Sequence, residues 1–149
     1  MKNLILFAAL ALFTIPALAQ EHKAMTEEVP LAVKQAFQNK YPGKVVTGWE
    51  TERGHFEAEY KVDGTKYEAE FDAVGTWIET EYSVKMAEIP QPVKDAWKKT
   101  DYTKWNIMST KHIETPSQAN IYEYEVKKGK QTVELQFMPD GTQLSKEAK

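Results

Sequence analysis

The stretch Val29–Phe37 (VPLAVKQAF) returns sixty positions later as Ile89–Trp97 (IPQPVKDAW). Two further stretches repeat in the same order, Glu59–Val62 as Glu123–Val126 and Phe71–Thr76 (FDAVGT) as Phe137–Thr142 (FMPDGT). The spacing between the copies grows from 60 to 64 to 66 residues, so the second copy carries small loop insertions. A repeat of this length is typical of one supersecondary unit that the chain uses twice.

Each copy begins with a pattern that predicts a short amphipathic helix. Pro30 and Pro90 suit the first helical residue, where a missing N–H costs nothing. Apolar residues then recur at helical spacing in both copies, at Val33, Ala36 and Phe37 and at Val93, Ala96 and Trp97. Each helix therefore needs an apolar surface on which to lie.

After each helix, apolar and charged residues alternate, which is typical of strands with one buried face. Phe56–Val62 and Lys66–Phe71 flank Asp63-Gly64, a dipeptide that favours a two-residue hairpin turn. Further strands are predicted at 45–52, 78–82, 104–111, 121–127, 132–137 and 142–145. We therefore predict an α+β fold of two tandem repeats, each one helix plus a four-stranded antiparallel meander, in two layers with the helices on one face of the sheets.

The first nineteen residues have the features of a cleaved signal peptide. Lys2 supplies a positive start, Leu4–Ile15 is apolar, and Ala17–Ala19 offers small residues to a signal peptidase. The apolar run is shorter than the ~20 residues needed to span a bilayer. We expect a mature chain that begins at Gln20, has no membrane span and is exported to the periplasm.

These boundaries predict a signal peptide at 1–19, an N-terminal tail at 20–28, a first repeat at 29–84 and a second at 85–149. Ser83–Glu88 is too short to be a flexible linker between independent domains, so the two units are expected side by side with their sheets close together. The chain has no cysteine, which excludes disulfides and thiolate chemistry. Without Lys2, 18 basic and 22 acidic residues leave a net charge of −4, which argues against a nucleic-acid partner.

The helix, the meander with alternating aromatic residues and glutamates, and the turn Phe71-Asp72-x-x-Gly75-x-Trp77 occur in tandem behind a signal peptide. This arrangement resembles the PepSY-like proteins, which are secreted mainly by Bacteroidetes and are related in fold to the β-lactamase-inhibitor protein. The resemblance implies a non-enzymatic binding or inhibitory module with an eight-stranded sheet that offers an open face. It brings no catalytic residues, and the inhibitor's recognition loops have no match here, so its β-lactamase target does not carry over.

No catalytic, cofactor or metal motif emerges from the residues themselves. His22, His55 and His112 share no metal-ligand spacing and are expected at the surface. No serine lies in a Gly-x-Ser-x-Gly elbow, and the segments 72–75 and 138–141 lack the repeated acids of a calcium loop and are expected to be hairpin turns. We predict that the protein is not an enzyme and has no cofactor.

The hairpin register predicts an acidic sheet face. If Asp63-Gly64 forms the turn, Glu59 opposes Glu68 and Glu57 opposes Glu70. Extension through the next turn then places Glu79 beside Glu68, Trp77 beside Glu70, and Glu81 near Lys66. Six glutamates would share this face, namely Glu57, Glu59, Glu68, Glu70, Glu79 and Glu81. Like charges directly opposite each other cost stability, so either the face is simply solvated and screened or it meets a cationic partner.

Trp77 is the predicted anchor of that partner, because an exposed tryptophan flanked by polar groups is typical of an interface hot spot. The alternative is that Trp77 is buried against a loop or the second repeat. The favoured function is an exported binding module that is inhibitory toward an envelope protein or peptidase and binds it, or a basic peptide segment, with the acidic face.

Two other functions stay open at this point. One is a periplasmic protein that binds a small ligand or a divalent cation, supported by the acidic face alone. The other is an enzyme with paired carboxylates, which ranks lowest because glutamates on an exposed flat face lack the desolvation that such chemistry needs.

Overall fold

The computed structural model describes residues 28–52 and 54–148. Two helices in these residues are α1 (Leu31–Lys40) and α2 (Gln91–Trp97). The strands are β1 (Val46–Glu52), β2 (His55–Val62), β3 (Thr65–Phe71), β4 (Trp77–Ser83), β5 (Asn106–Glu114), β6 (Ile121–Lys128), β7 (Gln131–Phe137) and β8 (Gln143–Ala148), with α1 before β1 and α2 between β4 and β5. The predicted signal peptide at 1–19 and residues 20–27 of the predicted tail lie outside the described residues.

Both helices begin directly after a proline. Pro30 and Pro90 are the N-cap residues, with ψ of 147° and 145°, so each helix begins one position later than the sequence suggested. Their carbonyl groups accept the first helical hydrogen bonds from the backbone N–H groups of Lys34 and Lys94, each at 3.1 Å. Proline suits this position because its fixed φ directs the chain into the helix and no N–H has to be satisfied.

The strands form one antiparallel sheet in the order β1 to β8. The predicted fold class of two tandem helix-plus-four-strand repeats is therefore wrong: the described chain is mostly a single eight-stranded sheet with only two short helices. Strand β4 pairs directly with β5, so that Tyr82 lies opposite His112 and Thr80 opposite Glu114. This pairing satisfies backbone groups that would be exposed at the edges of two separate four-stranded sheets.

The core lies between the helices and one face of this sheet. Beneath α1, Val33 and Phe37 pack with Phe56, Tyr60 and Phe71, all at most 3% exposed. Beneath α2, the corresponding cluster consists of Ile89, Val93, Trp97, Tyr124, Val126, Val133, Leu135 and Phe137. Because both helices cover the same face, the opposite face of the sheet carries the alternate side chains of every strand.

The repeated Phe-x-x-x-Gly-Thr stretches form tight turns, as predicted. In the first, the Gly75 N–H donates to the carbonyl of Asp72 at 3.0 Å. The Asp72 carboxylate accepts hydrogen bonds from the backbone N–H groups of Val74 and Thr76, at 3.0 and 2.7 Å. These bonds, chiefly the one from Thr76, lower the pKa of Asp72. The carboxylate thus stabilises the turn that connects β3 to β4.

Candidate functional site

The face of the sheet opposite the helices carries most of its acidic side chains. On β2, Phe56, Ala58 and Tyr60 are buried toward α1, and the alternate residues Glu57 and Glu59 point to the other side. The same alternation on β3 and β4 adds Glu68, Glu70, Glu79 and Glu81. We call this side of the sheet, with these six glutamates and those of β6 to β8, the acidic face.

The predicted register of the first hairpin is confirmed. Glu57 lies opposite Glu70, and Glu59 lies opposite Glu68. The predicted register between β3 and β4 is wrong by two residues, because Glu68 pairs with Glu81 and Glu70 pairs with Glu79. The pairing of Trp77 with Phe71 instead of Glu70 gives one residue of this shift, and a bulge between Glu70 and Phe71 gives the other.

Trp77 does not lie on the acidic face. The bulge puts it opposite Phe71, and its ring packs against the core beneath α1. Its indole N–H donates to the carbonyl of Glu79 at 2.7 Å and to the Thr80 hydroxyl at 2.9 Å, and the Lys40 ammonium lies 3.2 Å from the ring centroid. The placement of Trp77 as an exposed anchor among the glutamates is therefore corrected, since an extra residue in a strand moves the following side chain to the other face.

The second half of the sheet contributes further acids. Glu123 lies opposite Lys111 on one side and Gln136 on the other, and Glu134 lies between Glu125 and Glu147. The Gln136 amide donates to the Glu123 carboxylate at 2.9 Å. Glu123 is only 4% exposed, which makes it the most deeply buried carboxylate of this face among the described residues. The acidic face thus extends from the first strands to the last.

The acidic face contains a cleft of about 390 Å³. Its lining consists of Glu57, Glu68, Glu70, Glu79, Glu81, Lys111, Ile113, Glu123, Glu134, Gln136 and Glu147. Eight of these eleven residues are glutamates, and Lys111 is the one cation. Strands from both halves of the sheet contribute, so the cleft exists only because β4 pairs with β5.

Three basic side chains contact glutamates within the described part of this face. The Lys66 ammonium bridges Glu59 and Glu68, lying 2.6 Å from the Glu68 carboxylate. The Lys111 ammonium pairs with Glu81 across β4 and β5. His55 lies with its Nδ1 2.5 Å from a carboxylate oxygen of Glu70. Carboxylates of this face therefore already bind ammonium groups within the protein.

Burial raises the pKa of Glu57 and Glu79 on this face. Loss of solvation, followed by repulsion from Glu68 and Glu50, raises the pKa of Glu57 to about 7 from an ordinary value of 4.5. Burial raises the pKa of Glu79 as well, and Glu70 and Glu123 add repulsion. These two carboxyl groups therefore take up protons at a higher pH than ordinary glutamates do.

Glu81 and Glu68 form an acid pair beside Lys111. Burial raises the pKa of Glu81 to about 7, although Lys111 opposes this shift. Glu68 is also desolvated, yet its hydrogen bonds with Lys66 and Glu81 lower its pKa. As the pH falls, Glu81 therefore takes up a proton before Glu68 does. Burial alone would lower the pKa of Lys111, but Glu81, Glu123 and Glu68 raise it, so Lys111 stays charged.

These findings correct the expectation of an exposed flat face. The side chains of Glu59, Glu68, Glu70 and Glu81 are between 14% and 28% exposed. Sequence reasoning also missed Lys111 as the central cation of the cleft. The alternation Ser109-x-Lys111-x-Ile113 indicates a shared face, but only the pairing of β4 with β5 brings Lys111 beside Glu81.

The two histidines of the described residues lie apart from each other. His55 is part of the acidic face, as given above. His112, expected at the surface, is 6% exposed and packs between the rings of Tyr82 and Tyr122, with its Nε2 3.0 Å from the Asn120 side-chain oxygen. His22 lies outside the described residues.

Comparison with known proteins identifies the family. Residues 56–145 match the family described as "Putative beta-lactamase-inhibitor-like, PepSY-like". The chain belongs to the PepSY-like family. Its description is that of inhibitor-like proteins and not of catalysts. None of the curated proteins matches the chain significantly.

Solved structures of similar fold come from Bacteroides. A DUF2874 family protein from Bacteroides uniformis is 20% identical, with a TM-score of 0.69, over 80% of this chain and 88% of that chain. A structure from Bacteroides eggerthii described as "putative periplasmic proteins" is 18% identical, with a TM-score of 0.69, over 82% and 90% of the two chains. A BLIP-like protein from Bacteroides fragilis is 25% identical, with a TM-score of 0.65, over 78% and 84%.

The helices bear on membrane association in one respect. Neither helix of the described chain has the length and apolar character required to cross a bilayer.

Proposed function

We propose that this PepSY-like protein is an exported, non-enzymatic binding module whose acidic face binds a cationic segment of an envelope protein. The observation that carries the proposal is the cleft in which eight glutamates surround one lysine. Such a surplus of like charge has a stability cost, since like charges directly opposite on strands are destabilising by roughly 0.2–1 kcal/mol per pair. A bound cation would offset this cost. A binding role would therefore explain why the chain has so many glutamates on this face.

The contacts within the protein indicate what kind of group fits. Lys66 lies between two carboxylates, and Lys111 lies against Glu81 and near Glu123. An ammonium or guanidinium group of a partner would be recognised in the same way, through charge-assisted hydrogen bonds from N–H donors to carboxylate oxygens. Complementary charge of this kind also accelerates encounter with the correct partner. A Lys- or Arg-rich segment is therefore the partner chemistry that we infer.

Inhibition of the partner is the finer part of the proposal. It is supported by the inhibitor-like description of the family and by the similarity to a BLIP-like protein. An envelope peptidase is the target class we propose, because a binding module without catalytic groups acts on an enzyme by covering it. The periplasmic location is proposed from the signal-peptide pattern of residues 1–19 and from the description of the Bacteroides eggerthii structure.

A divalent cation is the second candidate ligand. Carboxylate oxygens of Glu57, Glu59 and Glu68 lie within 4.8 Å of one another, a spacing that a calcium ion could bridge. Two of the three carboxylates are already neutralised by Lys66, which disfavours the ion. A calcium-dependent rise in melting temperature that Glu57→Gln abolishes would favour this candidate over the first.

The proposal is tested by affinity capture with matched charge variants. The full chain is immobilised and exposed to an envelope extract, beside a variant with Glu57→Gln, Glu70→Gln and Glu79→Gln. The control carries Glu28→Gln, Asp101→Asn and Glu114→Gln, three exposed acids outside the cleft, so its net charge changes equally. We expect a protein that wild type and control retain and the cleft variant loses, with release by about 0.5 M salt. Equal retention by all three chains would contradict the proposal.

A further inference from the structure

The six glutamates of β2 to β4 on the acidic face, together with Glu50 of β1, form two rows that cross the strands. One row runs from Glu50 on β1 through Glu57 and Glu70 to Glu79 on β4. The other runs from Glu59 through Glu68 to Glu81 on β4. Neighbours within a row are directly opposite each other on paired strands, about 4.5–5.5 Å apart between Cβ atoms. Full ionisation of both rows would place seven negative charges side by side on one face of the sheet, five of them in the partly desolvated cleft.

The basic groups that face these rows contact only some of the glutamates. Lys66 on β3 contacts Glu59 and Glu68, and Lys111 on β5 contacts Glu81. His55 on β2 contacts Glu70. Within the part of the chain that the structure describes, neither Glu57 nor Glu79 forms an ion pair with a cation.

The second half of the sheet adds to the imbalance. Glu123 on β6 and Glu134 on β7 face Glu79 across the cleft, and Glu147 on β8 lines the same space. Glu57 and Glu79, which form no ion pair with a cation of the described residues, thus have acidic neighbours on both sides. Proton uptake by these carboxylates relieves the repulsion when no partner is bound.

We propose that the acidic face is a proton-controlled binding surface, which holds its cationic partner at neutral or alkaline pH and releases it on mild acidification. This inference rests on the proposed function, because it concerns the regulation of the same cleft. It is consistent with the pKa of Glu57 and of Glu81, each raised to about 7 by burial, and with the raised pKa of Glu79. Each proton taken up removes one negative charge from the surface that the partner contacts.

Because proton binding and partner binding are thermodynamically linked, each of them affects the other. A cation bound between these glutamates favours their ionised form, so binding near neutral pH must release protons. Proton release is measurable separately from affinity. It appears as a dependence of the observed binding enthalpy on the ionisation enthalpy of the buffer.

The experiment uses a deca-lysine peptide as the probe and the purified full chain. The lysine side chains keep their charge between pH 5 and 8, since their ordinary pKa is about 10.4, and the peptide is N-acetylated to remove the α-amino group, whose ordinary pKa is about 7.7–8.0. Any change of affinity in this range therefore comes from the protein. Calorimetry at about pH 8 and pH 5.5, at constant ionic strength and in two buffers, is carried out on three chains. They are the wild type, a variant with Glu57→Gln, Glu79→Gln and Glu81→Gln, and a variant with Glu28→Gln, Asp101→Asn and Glu114→Gln. The last is the matched control, because it changes the net charge equally at three exposed acids outside the cleft.

For the wild type we expect an affinity about tenfold weaker at pH 5.5 than at pH 8, with proton release on binding at pH 7. The triple variant should bind at pH 8 about as weakly as the wild type does at pH 5.5 and should lose most of the pH dependence. The control variant should keep both. A triple variant that keeps the pH dependence of the wild type would overturn the assignment to the glutamates.

The two proposals fail in different ways. Tight, salt-sensitive binding at pH 8 that is unchanged at pH 5.5 would overturn the proton control and leave the binding function intact. Absence of binding at pH 8 would contradict the binding function and the proton control together. Carbon NMR titration of the free wild-type protein gives a further check, because midpoints near 4.5 for Glu57 and Glu81 would overturn the proton control even if the peptide bound.

Discussion

Gly75, in the turn between β3 and β4, lies so close to Ala32 of α1 that a Cβ atom built on it would be 2.8 Å from the Ala32 carbonyl oxygen. The equivalent pair after β7 is Gly141 and Pro92, with a corresponding distance of 2.7 Å. Both glycines have a positive φ, of +87° and +89°. These two contacts fix the first turn of each helix against the sheet, which explains why the Phe-x-x-x-Gly-Thr stretch occurs in both halves.

We predict that Gly75→Ala destabilises the protein more than its backbone angle alone would require. A left-handed conformation costs a residue with a Cβ about 1–2 kcal/mol, and overpacking against α1 adds about 1–3 kcal/mol. Gly64→Ala is the matched control, because Gly64 has a φ of +83° and no atom within 4 Å of the added carbon. Urea denaturation should therefore give a loss of unfolding free energy that is about 1–3 kcal/mol larger for Gly75→Ala than for Gly64→Ala. Equal losses for the two variants would show that the close approach to Ala32 contributes nothing.

We predict that Trp77→Ala lowers stability and leaves binding at the acidic face intact. The ring packs against the core beneath α1 and lies under the Lys40 ammonium, so its removal should cost about 3 kcal/mol. Trp77→Phe is the control: it keeps a ring but loses the hydrogen bonds to Glu79 and Thr80, for a loss of about 1 kcal/mol. The measurements are thermal unfolding and deca-lysine affinity at pH 8. A loss of affinity without a loss of stability would restore Trp77 as a partner-binding residue.

Local patterns in the sequence predict what depends on near neighbours in the chain. The positions of Val33 and Phe37 beneath one helix and of Val93 and Trp97 beneath the other follow from helical spacing. The register of the first hairpin follows from the Asp63-Gly64 turn. The fold class failed because the pairing of β4 with β5 joins strands separated by a helix and a loop, and no turn residue specifies that pairing. A sequence repeat shows that two segments are similar, but it does not reveal whether their strands belong to one sheet.

The acidic face was only partly predictable for the same reason. Alternation along β2 to β4 placed Glu57, Glu59, Glu68 and Glu70 on one side. The bulge beside Phe71 has no clear signature in the residues, and it moved Trp77 to the opposite side and shifted the register of β4. The partial burial of the glutamates arises from the cleft, which both halves of the sheet form together. The role of these glutamates in binding a partner stays a prediction.

We predict that the protein is more stable at about pH 5.5 than at about pH 8. The pKa values of Glu57 and Glu81 are near 7 in the folded protein and near 4.5 in the unfolded chain. The folded state therefore binds more protons between these values, and the free energy of unfolding falls as the pH rises through this window. Because both side chains are partly solvated, we expect a difference of roughly 2 kcal/mol in denaturation at the two pH values.

The double variant Glu57→Gln, Glu81→Gln should show a much flatter dependence, and Asp101→Asn, Glu114→Gln serves as the control with equal charge change. Below about pH 4 the trend should reverse, because Asp72, Asp95 and Asp140 have lowered pKa values and their favourable contacts are lost on protonation. Stability that rises steadily from pH 5.5 to pH 8 would show that the carboxylates of the cleft are not strained by desolvation.

We predict strong energetic coupling between Lys111 and Glu81. Their side chains are 25% and 14% exposed, and Glu123 and Glu68 also face Lys111. Lys111→Met leaves several carboxylates of the cleft without their central cation, whereas Glu81→Gln leaves Lys111 other acids to contact. The lysine variant should thus be the more destabilised of the two.

A double-mutant cycle should give a coupling energy of about 1–2 kcal/mol. The exposed pair Lys98 and Asp95, with a distance of 3.0 Å and exposures of 66% and 50%, should give less than about 0.5 kcal/mol. Equal coupling in the two cycles would mean that water screens the cleft as effectively as the surface, and neither its raised pKa values nor its control by protons could then be maintained.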